Sequence, residues 1–193
     1  MKLLFATSNQ HKAREIAALL ADHIEILSLN DINLKEDIPE TQPTIEGNAN
    51  QKADYILAHF AIDCFADDTG LEVHALHNEP GVKSARYAGE QRSDEDNMRL
   101  LLERLKNSED RSARFKTVIA LRIQGEAHTF EGIVNGHIRY EKSGTQGFGY
   151  DPVFEPENVG KTFGEMTMEE KNKYSHRARA FAKMIHFLQE RKV

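Results

Sequence analysis

The strongest constraint on this chain is that short apolar runs alternate with amphipathic stretches of helical period, an alternation that belongs to layered α/β proteins. Residues 2–6 read as a buried strand. Ala13, Ile16, Ala17 and Leu20 then fall at i, i+3, i+4 and i+7, which predicts a helix over about 11–22. A second strand is expected from Ile24 to Leu29. The stretch from Asn30 to Thr44 is polar and interrupted by proline, and reads as a surface loop. Ala53, Ile56, Leu57 and Phe60 repeat the helical spacing just ahead of an apolar run that ends in two aspartates. Met98, Leu101, Leu102 and Leu105 mark a further helix, with Ser93 and Asp96 as a capping pair. Phe115 to Ile123 and His128 to Val134 read as strands joined through Gln124-Gly125-Glu126, a hairpin signal. Ala178, Phe181, Ala182 and Ile185 mark a closing helix with Ser175 at its start. At 193 residues, with no internal repeat or linker, the chain suits a single domain, built as one body or as two lobes.

Composition narrows the functional classes. Hydrophobic residues at 39% and charged residues at 29% fit a soluble globular protein, and no apolar run approaches the length of a bilayer span. The opening Met1 to Lys12 is apolar too briefly for a signal peptide, so a cytoplasmic location is expected, with no membrane partner. A net charge of −6 argues against wholesale binding to a nucleic-acid backbone. An anionic ligand must therefore be met by a local cluster of lysines, arginines or metal. The lone Cys64 excludes an intramolecular disulfide framework and reads as a buried small hydrophobe. Nine histidines raise the question of transition metals, but there is no HExxH pattern and no Cys/His pair, and His74 and His77 read as surface residues.

Five segments could carry chemistry. In Phe65-Ala66-Asp67-Asp68-Thr69-Gly70-Leu71 an apolar run is cut off by adjacent carboxylates, which repel each other and are costly to desolvate unless a cation or a reacting proton offsets them. Magnesium suits such oxygen donors. A strand-to-turn junction is the alternative on this motif alone. Thr7-Ser8-Asn9-Gln10-His11-Lys12 is a polar turn between the first strand and helix, able to meet an anion with hydroxyls, amides, backbone N–H groups and Lys12, or simply to cap the helix. Glu46-Gly47-Asn48-Ala49-Asn50-Gln51-Lys52 puts a lysine early in a helix, against the dipole, where a nearby anion would explain it; Glu40 just upstream is a further candidate metal ligand. In Gly147-Phe148-Gly149-Tyr150-Asp151-Pro152 two aromatics are framed by glycines, which suits stacking on a planar base or packing in a core turn. The charged run Glu169 to Lys173 reads as solvated helix surface, yet Ser175-His176-Arg177 beyond it stands where donors can converge on a ligand.

In this order, and together with Pro80-Gly81-Val82-Lys83-Ser84-Ala85-Arg86-Tyr87, these segments resemble the inosine triphosphate pyrophosphatase family, whose members hydrolyse purine nucleoside triphosphates with altered bases. The match spans nearly the whole chain. Ser8 stands where relatives often carry glycine, and Thr69 where serine is common; both remain small and polar. The resemblance implies an elongated α/β fold of two lobes around a mixed sheet, with the active site in the cleft between them, and a homodimer. It also implies that water attacks the α-phosphorus of the nucleoside triphosphate, releasing a monophosphate and pyrophosphate. Asp68 would be the general base and, with Asp67 and Glu40, would hold Mg2+. Thr7, Ser8, Asn9, Gln10, His11, Lys12, Lys52, Thr69, Phe148, Gly149, Tyr150, Asp151, Lys171, Ser175, His176 and Arg177 would bind the substrate. Lys12, Lys52 and Lys171 would take the triphosphate, Phe148 would stack on the base, and Arg177 or His176 would face its 6-oxo edge. Two other readings are a septum-formation-protein-like pyrophosphatase, whose serine- and arginine-rich first loop Thr7 to Lys12 does not match, and a nucleotide-binding sensor without turnover.

Overall fold

The computed structural model describes residues 1–17, 19 and 24–191. Its elements are β1 (Lys2–Phe5), α1 (Gln10–Ala17), β2 (Glu25–Leu27), α2 (Ile45–Phe60), β3 (Cys64–Val73), β4 (Glu79–Gly81), α3 (Asp94–Arg104), β5 (Ser112–Ile123), β6 (Glu126–Ile138), β7 (Phe154–Pro156), α4 (Met168–Tyr174) and α5 (His176–Glu190). The strands form a mixed sheet in the order β2-β1-β3-β5-β6-β7, with β4 paired to β3. β1 runs parallel to both β2 and β3, whereas β3–β4 and β6–β7 are antiparallel. The mixed α/β class expected from the alternation is observed. Among the described residues no helix is long and apolar enough to cross a membrane.

The chain divides into two compact units, with the crossing points inside β3 between Asp68 and Thr69, inside β5 and β6, and at the start of α5. The core of the first unit is built from Leu3, Phe5, Ile16, Phe65, Ile119, Leu121, Phe181 and Met184. Phe5 and Phe65 stack across the parallel β1–β3 pair at 4.6 Å between ring centroids. The core of the second unit gathers Leu71, Val73, Leu101, Leu105, Phe115, Ile138, Phe154 and Phe163. Both β3 and the C-terminal half of β5 are buried along nearly their whole length, so both of their faces are covered.

Local chemistry explains the boundaries. Thr44 caps α2 by accepting the Gly47 N–H at 3.0 Å, and Ala61 closes it in the left-handed conformation. Ser93 caps α3 by accepting from Asp96 N at 3.2 Å, as its spacing predicts, although the Asp96 carboxylate turns to Arg99 instead of completing a box. The β5–β6 hairpin turns on Gln124 and Gly125, both at positive φ, the geometry of a tight two-residue connection.

Several expectations are corrected. The aspartate pair does not end its strand: β3 continues through Thr69-Gly70 to Val73, so Asp67 and Asp68 lie in mid-strand and the turn reading falls. The second strand is shorter than Ile24 to Leu29, and Leu29–Ile32 forms a 3-10 turn where a loop is expected. Helix α1 is described to Ala17, and the expected continuation at residues 18 and 20–22 lies outside the described residues. The charged run forms the short helix α4, and Ser175 stands between two helices, as the C-cap of α4 and the residue immediately before α5.

Cys64 is fully buried, with its thiol aimed at the Ala53 carbonyl, and burial pushes its pKa up to about 12. The thiolate is the reactive form. The folded protein will therefore resist iodoacetamide at mildly alkaline pH and take up one equivalent when denatured; labelling of the native form at the denatured rate would show that the thiol reaches solvent.

Candidate active site

In the first unit, β3 delivers Asp67 and Asp68 into buried surroundings, with relative exposures of 0% and 8%. Lys12, on the first turn of α1, places Nζ 3.1 and 3.0 Å from the two carboxylate oxygens of Asp67. That helix begins where it does because Asn9 Oδ1 accepts the backbone N–H groups of His11 and Lys12, while Thr7 Oγ1 accepts that of Asn9. Ser8, Gln10 and His11 have exposed side chains on this turn. Asp68 accepts a hydrogen bond from the Asn48 amide at 3.3 Å. Lys52, one helical turn beyond Asn48 on α2, pairs with Glu40 at 2.5 Å. The Glu40 loop is held against α2 by reciprocal bonds between Thr41 and Gln51, both at 2.9 Å, and by Gln42 N donating to Asn48 Oδ1.

The electrostatics of this cluster are unbalanced in a useful way. Burial raises the Asp68 pKa above the ordinary carboxylate value; Lys52 and Lys12 pull it back, and Glu40 and Asp67 add to the rise. Burial works against the Lys52 ammonium too, but Asp68, Glu40 and Asp67 together outweigh it and hold its pKa above the usual value. A carboxylate reluctant to ionise beside a firmly charged lysine is compatible with a proton acceptor next to an anion subsite, and with a structural ion-pair network as well. Among the described residues no three His, Cys, Asp or Glu side chains converge closely enough to hold a metal by themselves. The donors near the site are carboxylate and amide oxygens, the hard set magnesium accepts, and magnesium commonly uses one or two protein carboxylates and leaves its other positions to water and substrate phosphate.

In the second unit, Lys171 Nζ meets Asp151 Oδ2 at 2.7 Å, with both side chains almost wholly buried. The same oxygen accepts the Phe148 N–H at 2.9 Å, which folds the glycine-framed loop back on itself. A Cβ on Gly147, which also has φ +75°, would come within 2.0 Å of that oxygen, so this position requires glycine. The Phe148 ring is partly exposed and carries two cations near it, Lys171 Nζ at 5.0 Å and the Arg177 guanidinium at 5.6 Å from its centroid. Arg177 also donates to Thr69 Oγ1 at 3.3 Å.

The sequence-predicted residues thus fall into two sets. Lys12, Glu40, Lys52, Asp67 and Asp68 gather in the first unit, and Thr69, Phe148, Asp151, Lys171 and Arg177 in the second. Gly149 presents its N–H to Asp94 at 2.7 Å. Tyr150 is buried and donates its hydroxyl to the Ser84 carbonyl at 2.8 Å. His176 stacks on Phe115 at 4.7 Å as part of the core, and Ser175, also buried, ends α4. Sequence reasoning missed Asn48 as a partner of Asp68. The signal existed: Asn48 and Lys52 are the two polar members of the buried α2 stripe otherwise made of Ile45, Ala49, Ala53 and Ile56.

A model of the Ham1 family matches residues 3–187. A dITP/XTP pyrophosphatase of Christiangramia forsetii is 56% identical over 188 residues, covering 97% of this chain and 99% of that protein. The dITP/XTP pyrophosphatase of Porphyromonas gingivalis is 50% identical and covers 97% of each. Among solved structures, the Ham1 protein of Staphylococcus aureus matches with a TM-score of 0.91 at 37% identity, covering 99% of this chain and 100% of that one. The likeness drawn from six short motifs therefore extends through the chain and the fold alike, and the chain belongs to the Ham1 family.

Proposed function

We propose that this chain is a nucleoside triphosphate pyrophosphohydrolase that converts ITP, dITP and XTP to the monophosphate and pyrophosphate. The observation that carries the reading is Asp68, a buried carboxylate under the influence of two lysines and anchored by an amide. Full-length relatives named dITP/XTP pyrophosphatase supply the substrate class. In the reaction, Asp68 takes a proton from water, the water oxygen bonds to the α-phosphorus, and the bond from that phosphorus to the bridging oxygen breaks to release pyrophosphate. Lys12 and Lys52, held in place by Asp67 and Glu40, balance charge on the phosphates. Magnesium held by Asp68 with Asp67 or Glu40 would screen the phosphates and polarise the phosphoryl group under attack.

The base falls to the second set of residues. Phe148 offers a stacking face, and the Arg177 guanidinium only donates, so it suits the 6-oxo acceptor of hypoxanthine or xanthine and opposes the amino donor of adenine. His176, packed on Phe115, is the weaker of the two candidates for that edge. The proposal includes a cytoplasmic homodimer that engages neither nucleic acid nor membrane, in keeping with the net charge of −6.

Product analysis over ITP, XTP, GTP and ATP with magnesium tests the reading. Pyrophosphate should appear, with ITP and XTP preferred. Orthophosphate would indicate a phosphatase, no product a sensor, and equal kcat/KM for all four would remove the selectivity claim. The Glu40 loop gives a further test. A Cβ on Gly47 would stand 2.7 Å from Gln42 Cβ and 2.9 Å from Thr44 Oγ1, so Gly47→Ala must displace the loop. Its kcat/KM should fall about tenfold or more with helix content unchanged by circular dichroism; unaltered kinetics would show that the loop does not position the site.

A further inference from the structure

The Asn48 side chain joins two catalytic parts of the first unit through one amide. Its Oδ1 accepts the Gln42 backbone N–H at 2.9 Å, and its Nδ2 lies 3.3 Å from Asp68 Oδ2. A backbone N–H can only donate, so the amide oxygen must face Gln42, and the NH2 group then faces Asp68. Gln42 lies two residues beyond Glu40, and the loop between them is pinned by Thr41 and Gln51. Asn48 is 3% exposed. An amide in that stripe is costly unless both ends are satisfied, and here one end fixes the Glu40 loop while the other fixes the carboxylate of Asp68.

We propose that Asn48 is a positioning residue that sets the orientation of Asp68 and its spacing from Glu40. The proposal rests on the reading of Asp68 as the general base. The effect of Asn48 on the chemical step passes through Asp68, whose carboxylate it orients by donating to Oδ2.

Two substitutions separate the ends of the amide. Asn48→Asp keeps an acceptor for the Gln42 N–H and turns the donor facing Asp68 into an acceptor. Asn48→Ala removes both contacts. With ITP and saturating magnesium, N48D should lower kcat about tenfold to a hundredfold while KM stays within about threefold, and the second carboxylate buried beside Asp68 should lower Tm by several degrees. N48A should lower kcat comparably and also raise the magnesium concentration needed for half-maximal rate. Because the effect passes through Asp68, adding N48D to Asp68→Asn should change the residual rate by less than about twofold, which damage to the fold in general would not reproduce. Near-normal kcat in N48D, or full additivity in the double variant, overturns the proposal while an inactive D68N leaves the base assignment standing. Near-normal turnover by D68N itself would instead remove the base reading, and this proposal with it. Should N48D not fold, the kcat of N48A decides.

Discussion

Asp68→Asn should lower kcat for ITP by about a hundredfold or more, the scale on which removal of a positioned general base is felt, while leaving the folded protein as stable as the parent or more so. The two halves of this result have the same origin. Burial raises the Asp68 pKa in the folded state above its unfolded value, with Lys52 and Lys12 only partly opposing the rise. A carboxyl raised in this way contributes stability below the ordinary carboxylate range and loses it as pH rises through the folded value. At neutral pH its ionised form is therefore a burden on the fold, and asparagine removes the charge while keeping an oxygen to accept from Asn48. Lys52 loses the attraction of Asp68 but retains Glu40. Steady-state rates with saturating magnesium and thermal melts in chelator at neutral pH measure both halves. Near-normal turnover would show that another group takes the proton. A melting temperature several degrees lower would show that the Asp68 charge stabilises the fold.

That trade-off was only partly legible in the sequence. Adjacent aspartates after an apolar run announce a site because charge is costly to bury, but the same letters fit a turn, and the run Thr69-Gly70 favours that misreading. What carries β3 onward is the apolar Leu71 and Val73, both fully buried in the second core, together with the antiparallel partner β4. Tertiary pairing overrode local turn chemistry. Lys52 is the eighth of the 16 residues of α2, beyond the reach of the helix dipole, and what accounts for a cation buried there is the group of carboxylates Glu40, Asp68 and Asp67. Asn48 was harder to see, because an asparagine near a helix start has ordinary local uses and its partner Asp68 is twenty residues away. Tyr150 and His176 fall within motifs that the resemblance marks as binding, and in the structure the Tyr150 hydroxyl donates to the Ser84 carbonyl while the His176 ring stacks on Phe115. A motif shows which residues occur together, not which of them face a ligand.

The largest stability effect should come from the Lys171–Asp151 pair. The two side chains meet at 2.7 Å with exposures of 5% and 3%, and Lys171 also lies 5.0 and 5.5 Å from the centroids of Phe148 and Phe163. Burying two charges gains little net stability, but removing one partner leaves the other charge desolvated, which costs about 3–5 kcal/mol. Lys171→Met should therefore lower Tm by roughly 10 °C in a protein of this size. Asp151→Asn should cost less than Lys171→Met if its side-chain oxygen goes on accepting the Phe148 N–H. Combining the two removes both charges, so the double variant should be more stable than the sum of the single losses predicts, with a coupling of about 1–3 kcal/mol. Urea denaturation of the four proteins closes the cycle. Single losses below about 1 kcal/mol, or simple additivity, would mean that solvent or another group already compensates each charge. The same cycle read in kinetics bears on the base: Asp151 holds the Phe148 N–H and Lys171 lies near its ring, so the KM for ITP should rise in both single variants even where enough folded protein remains to give a normal kcat.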